Sequence, residues 1–296
     1  MKTYSLITPT KHGWHYGYGF FSNYRICLEE LIHHHETSNE ETPYISWANT
    51  TWVEEINPFE NQLGPSDVNP FDFWFEQPII NADDVVKLNE YPPHKYGTII
   101  DHAQHYFDNE VELNRQQSID KLYIKPKQYI LDKINEIYDA EFKGHVVLAL
   151  MARGTEYNLH HPMYGVFGVD DYIKEVNKIL EEYPEITKLF IVSEDMEYID
   201  ALTKAFPNSY FMPNVFRRTD ETMEYINHVH CWPNVSKKRE DHCRLLGEEV
   251  IIQAKLMGKS DYLFGRLSGM LAGGVLWNEN IKKVFKIWQE QKSSKF

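Results

Sequence analysis

The sequence predicts an α/β protein whose second half is a parallel β-sheet covered by helices on both faces. Two observations carry that expectation. Continuous apolar runs of strand length, HVVLALMA (145–152), KLFIVSE (188–194) and SDYLFGR (260–266), punctuate the second half, and unbroken apolar strands are those buried on both faces. Amphipathic stretches intervene, VDDYIKEVNKILEEY (169–183), MEYIDALTKAF (196–206) and EEVIIQAKLMGK (248–259). Strands alternating with such helices form βαβ units, whose strands run parallel.

From the amino terminus, TYSLIT (3–8) reads as a short strand, followed over 10–23 by glycines and aromatics. In YRICLEELIHHH the residues Ile26, Leu28, Leu31 and Ile32 recur at helical spacing, completing a strand, loop and helix unit. ISWANTTWVEE holds a second strand. Residues 57–93 are crowded with Pro, Asn, Asp and aromatics, which predicts long loops over a binding face. Residues 95–140 read as mainly helical, closing with KPKQYILDKINEIYDAEF and Pro126 near its first turn, where proline is tolerated. SYFMPN adds a short strand to the second half. The change of pattern sets a domain boundary between 125 and 145, giving domains 1–125 and 126–296 with no internal repeat.

At 296 residues the chain is long enough for two cores. Its net charge of −14 repels phosphate polymers and anionic lipid heads, so nucleic acid is not an expected partner. One well-placed arginine can still hold a small phosphorylated ligand. Cys27, Cys231 and Cys243 are too few for a disulfide framework. No stretch reaches the length of a membrane span or signal peptide, and the expected compartment is cytoplasmic. The 19 Tyr and 7 Trp suit sugar stacking as well as the commoner use, core packing.

Ligands of open parallel sheets bind at the carboxyl ends of the strands. That rule selects three loops: Arg153-Gly154-Thr155-Glu156, Ser193-Glu194-Asp195 and Arg266-Leu267-Ser268-Gly269. Arg153, between an apolar strand and a glycine, can reach a diphosphate bidentately or pair with Glu156 to stiffen the loop. Ser268 and Gly269, at a strand-to-helix turn, can present N–H groups to an anion. Glu194 and Asp195 suit ribose or base edges. Asp170 and Asp171 read as the acidic first turn of a helix, and His33-His34-His35 as a solvated helix end. His228, His230, Cys231, His242 and Cys243 are zinc-ligand types without the paired Cys-x-x-Cys spacing, so no metal is expected there.

From roughly Lys125 to Asn278 the order of these segments resembles the donor-binding domain of the fucosyltransferase superfamily, comprising α1,2- and α1,6-fucosyltransferases and protein O-fucosyltransferases. Met151-Ala152-Arg153-Gly154-Thr155-Glu156 is similar to the family's His-x-Arg-x-x-Asp motif, with Arg153 on the arginine that holds the GDP-fucose phosphates. Glu156 replaces the aspartate. Met151 replaces the histidine, a departure affecting the guanine contact. Ser193, Glu194 and Asp195 match a Thr-Asp-Asp turn, and Ser268 and Gly269 a serine-rich turn at the donor phosphates. Toward the amino terminus, only the turn from Gly17 to Arg25 resembles the family's first loop.

The resemblance implies a GT-B-like enzyme, with two Rossmann-like domains facing across a cleft and the donor on the second. It implies transfer of L-fucose from GDP-fucose to a glycan hydroxyl, with inversion and without a metal or other cofactor. The absence of an Asp-x-Asp triplet agrees with metal independence. Arg153 and the Ser268-Gly269 turn would hold the leaving diphosphate. His161, beside His160, would be the base. Trp47–Pro93, including NPFDFWFEQP, would shape the acceptor site, and Asn234 and Ser236 would lie near the donor base. Two alternatives stay open: a transferase using GDP-mannose or a UDP-sugar, and a non-catalytic binding relative. An NAD enzyme is disfavoured because no Gly-x-Gly-x-x-Gly follows a strand.

Overall fold

The computed structural model describes residues 2–9, 19–37, 41–48, 50, 52, 69–88, 109–154, 166–217 and 239–287. The chain divides into two compact units, Met1–Asp132 with His228–Val250, and Lys133–Asn227 with Ile251–Phe296. The segment His228–Val250 thus belongs with the first unit, which a single cut between 125 and 126 does not provide for.

In the first unit β1 (Thr3–Ile7) lies between β2 (Thr42–Ile45) and β3 (Val85–Leu88), parallel to both. Helix α1 (Phe20–Thr37) follows β1. The segment expected to be long loops contains a short helix, α2 (Phe71–Trp74), as well as β3. Helix α3 (Glu110–Tyr123) starts where the Asn109 side chain accepts from Glu112 N, satisfying one of the N–H groups a helix start leaves over. Helix α4 (Gln128–Ile137) ends in a π turn, Tyr138–Phe142.

The core of this unit is aromatic. Trp47, Trp52, Phe71, Trp74 and Phe75 are each 0% exposed. Phe20 meets Trp47, Trp52 and Trp74 edge-on at 5.1, 5.5 and 5.5 Å between centroids. Each such pair adds about 0.5–1.5 kcal/mol to simple burial. Trp74 Nε1 donates to Arg244 O at 2.8 Å, and Trp47 Nε1 to Cys27 Sγ at 3.3 Å. A Cβ on Gly247 would lie 2.1 Å from the Trp74 ring, so only glycine admits the indole. Within the segment expected to shape an acceptor site, these five rings are core, while Phe73 is half-buried. His34 likewise departs from the solvated-end expectation: it is buried, edge-on to Tyr123 at 6.1 Å.

The second unit holds a five-stranded parallel sheet in the order β6-β5-β4-β7-β8. Its strands are β4 (Val147–Met151), β5 (Lys188–Val192), β6 (Ser209–Tyr210), β7 (Tyr262–Gly265) and β8 (Lys283–Lys286). Every residue of β4 is buried, as its unbroken apolar run requires. Helix α5 (Val169–Glu182) buries Tyr172, Val176 and Ile179, spaced to form one stripe. The stripe packs with Leu148, Leu150, Ile191, Phe264 and with Tyr198, Ile199 and Leu202 of α6 (Met196–Ala205). Helix α7 (His242–Met257) precedes β7, and α8 (Gly269–Leu276) follows it. Among the described residues no helix is long and apolar enough to cross a membrane.

Candidate functional site

The strand order creates the site. From central β4 the chain steps outward on one side to β5 and β6, then returns across to β7 and β8. Connections leaving β4 and β7 therefore diverge, the switch point beside which ligands of open parallel sheets bind. At that point the two backbones are close: a Cβ on Gly265 would lie 2.6 Å from Met151 O.

Arg153 emerges two residues beyond β4. Its N–H donates to the Tyr172 hydroxyl at 3.1 Å, and that hydroxyl donates to Arg153 O at 3.4 Å. The first turn of α5 thus pins the end of β4 from both sides of one residue. The guanidinium is already paired, with Glu194: Nε stands 3.1 Å from Oε1, the two side chains being 13% and 17% exposed. Gly154 N–H donates to the same Oε1 at 3.4 Å. Pairing with Glu156 was the expected alternative, and Glu156 lies outside the described residues.

The loop after β5 closes over this corner. A Cβ on Gly154 would sit 1.5 Å from Asp195 Oδ2, so the carboxylate rests against the bare Cα. Ser193 Oγ accepts from Asp195 N at 3.1 Å, and Ser193 O accepts from Arg217 Nε at 3.2 Å. On the other side of β4, Ser268 caps α8, its Oγ accepting from Leu271 N at 3.2 Å. Its hydroxyl thus satisfies one of the N–H groups that the start of α8 leaves over.

Arg153, Ser193, Glu194 and Asp195 are therefore brought together, with Ser268 and Gly269 at the end of the neighbouring strand. His160, His161, His228, His230, Cys231, Asn234 and Ser236 lie outside the described residues. His242 and Cys243 are buried in the first turn of α7. Asp171 accepts from Gly168 N at 2.8 Å at the start of α5. Among the described residues no group of three or more His, Cys, Asp or Glu could hold a metal ion.

Sequence reasoning named Arg266 within the turn after β7 but gave it no role of its own. It follows β7 directly, is 1% exposed, and sets its guanidinium 5.3 Å from the centre of the Phe167 ring. The signal was present, since Arg266 follows an apolar strand much as Arg153 does. Nearby, Tyr198 donates to Phe167 O at 3.0 Å. Burial, then the Asp195 charge, pushes the Tyr198 phenol up to about 12.

No family model matches the chain, and no curated protein does. Solved structures do match. NodZ α-1,6-fucosyltransferase soaked with GDP-fucose superposes with a TM-score of 0.54 at 16% identity, covering 94% of this chain and 93% of that one. The chain shares its fold with NodZ. The same protein co-crystallised with GDP gives 0.52 at 15% identity, over 94% and 93%. NodZ from Bradyrhizobium gives 0.53 at 16% identity, over 94% of both chains. Such identity speaks to the α/β, parallel-sheet fold. POFUT1 in complex with GDP-fucose is more distant, at a TM-score of 0.37 and 10% identity over 96% of this chain and 73% of that one.

Proposed function

We propose that the protein is a glycosyltransferase of the fucosyltransferase superfamily, transferring L-fucose from GDP-fucose to a glycan hydroxyl with inversion and without a metal. The carrying observation is the Arg153–Gly154 corner at the β4/β7 switch point, beside the capped start of α8. A guanidinium and main-chain N–H groups at such a place suit a diphosphate. NodZ, whose fold is shared, has been crystallised with GDP and soaked with GDP-fucose, which supports that choice of donor.

In this reading the domains are GT-B-like and face across a cleft, residues 126–296 holding the donor and 1–125 serving the acceptor in the cytoplasm. Arg153 and the α8 start grip the diphosphate more tightly as the bond from sugar C1 to the β-phosphate oxygen breaks and charge gathers on the leaving group. His161 accepts the proton of the attacking acceptor hydroxyl. Ser193, Glu194, Asp195 and Glu156 line the donor site. Glu194, which engages Arg153 through Nε, must share or yield that guanidinium when the diphosphate enters.

A second reading, transfer from GDP-mannose or a UDP-sugar, is favoured by Met151. It is 3% exposed within β4 and carries no donor or acceptor suited to a base edge. The experiment is a melting-point screen across nucleotide sugars, followed by nucleotide release with an acceptor library. A ligand well above its dissociation constant raises the melting point. Stabilisation by GDP-fucose with turnover supports the proposal; stabilisation by another nucleotide sugar alone selects the second reading. Binding without turnover on any acceptor leaves a non-catalytic relative, and no stabilisation by any of them refutes both readings.

A further inference from the structure

Two carboxylates converge on the corner proposed to take an anion. Glu194 bridges Arg153 and Gly154 N, and Asp195 Oδ2 rests against Gly154. Like charges a few ångströms apart in a poorly solvated site repel strongly, so these acids oppose a diphosphate unless a cation offsets them from within the fold.

Arg266 is placed to do so. β4 and β7 pair with Met151 opposite Gly265, so one step further Arg266 stands opposite Ala152. Its side chain leaves the sheet on the face where Ala152, Phe167, Tyr172 and Tyr198 cluster, in agreement with its seat over Phe167. At 1% exposure it lies too deep to grip a ligand. Burying a guanidinium is strongly unfavourable unless neighbouring charge compensates it. Its charge and that of Glu194 reach the same two hydroxyls. Burial raises both the Tyr172 and Tyr198 phenols; beyond that, Glu194 pushes both up and Arg266 draws both down.

We infer that Arg266 is a positioning residue of the anion site, a buried counter-charge that offsets Glu194 and Asp195 so that Arg153 and the start of α8 can accept a diphosphate. The identity of that diphosphate as part of a nucleotide sugar rests on the function proposed above; the placement of Arg266 beside Ala152 and Phe167 does not.

A charge cycle tests it, read by calorimetry with inorganic pyrophosphate and GDP as probes. Arg266→Met should weaken both by about tenfold, and Arg266→Lys should stay within about threefold of wild type. Adding Asp195→Asn to Arg266→Met should restore most of the lost pyrophosphate affinity. Equal losses in the Met and Lys variants with no recovery from Asp195→Asn would mark a merely structural arginine and overturn the inference, as would unchanged affinity in Arg266→Met. Should Arg266→Met not fold, Asp195→Asn alone decides: it should tighten pyrophosphate, and weaker or unchanged binding overturns the inference. If wild type binds pyrophosphate but not GDP, the proposed donor site fails while the pyrophosphate cycle still decides the role of Arg266. If it binds neither, both fall.

Discussion

Replacing Gly154 with alanine asks a methyl group to occupy space the Asp195 carboxylate fills. The new Cβ would lie 1.5 Å from Oδ2, 2.6 Å from Cγ and 3.2 Å from Cβ of Asp195, whereas unbonded heavy atoms settle at about 3.5–4.0 Å. The carboxylate must therefore retreat by about 2 Å. It has little room, because Asp195 is buried and its backbone N–H is tied to Ser193 Oγ at 3.1 Å. Overpacking of this kind costs about 1–3 kcal/mol. At about 2–4 °C per kcal/mol for units of this size, differential scanning calorimetry should record a fall of roughly 2–12 °C. Removing the obstruction supplies the control. In Gly154→Ala with Asp195→Ala the losses should fall short of the sum of the single variants by about 1 kcal/mol or more. An unshifted melting point in Gly154→Ala, or additive losses in the pair, would refute the close approach.

Other outcomes bear on chemistry. Arg153→Ala should reduce transfer by about a hundredfold or more, as loss of a charge-stabilising donor does; it should lower the melting point by only a few degrees, since Glu194 keeps its contact with Gly154 N. A large collapse in stability with residual transfer would make Arg153 structural. His161→Ala should lower kcat more than donor affinity, and wild-type turnover would remove it from the mechanism. Tyr198, raised from the ordinary 10.0 to about 12, stays protonated in the folded chain at pH values where the unfolded chain has released its proton. Stability from this group is therefore intact below pH 10 and drains away as pH rises from 10 towards 12. Melting points across that window should fall less steeply in Tyr198→Phe, and identical slopes would contradict the assignment.

The legible parts of the fold were those whose burial is uniform. β4, β5 and β7 are apolar along their length and α5 carries one clear stripe, so local pattern and tertiary environment agree. β3 and β8 escaped notice because they are short; Val86 is exposed, and in β8 exposed lysines flank the half-buried pair Val284 and Phe285. Aromatic density in NPFDFWFEQP did not reveal which rings are buried, for a different reason. A ring's chemistry suits a core and a sugar platform equally, and only the fold decides which. The same limit applies to charge: position after a strand singled out Arg153, while Arg266, in an equivalent place, was read as part of a turn. That Arg153 would meet Glu194 depends on the parallel pairing of β4 with β5, which no local stretch records.

The indoles of the first unit give it a spectroscopic signature of its own. Trp47, Trp52 and Trp74 pack against one another at 5.8–6.3 Å between centroids, close enough for their transitions to couple, and each is sealed from solvent. Among the described residues the second unit has only Trp277, which carries Lys255 Nζ over its ring at 4.0 Å. Near-ultraviolet circular dichroism and tryptophan emission therefore report mainly on the first unit. A variant at the carboxyl ends of β4 and β7 that dims nucleotide binding while leaving those signals intact has left the aromatic core of the first unit undisturbed.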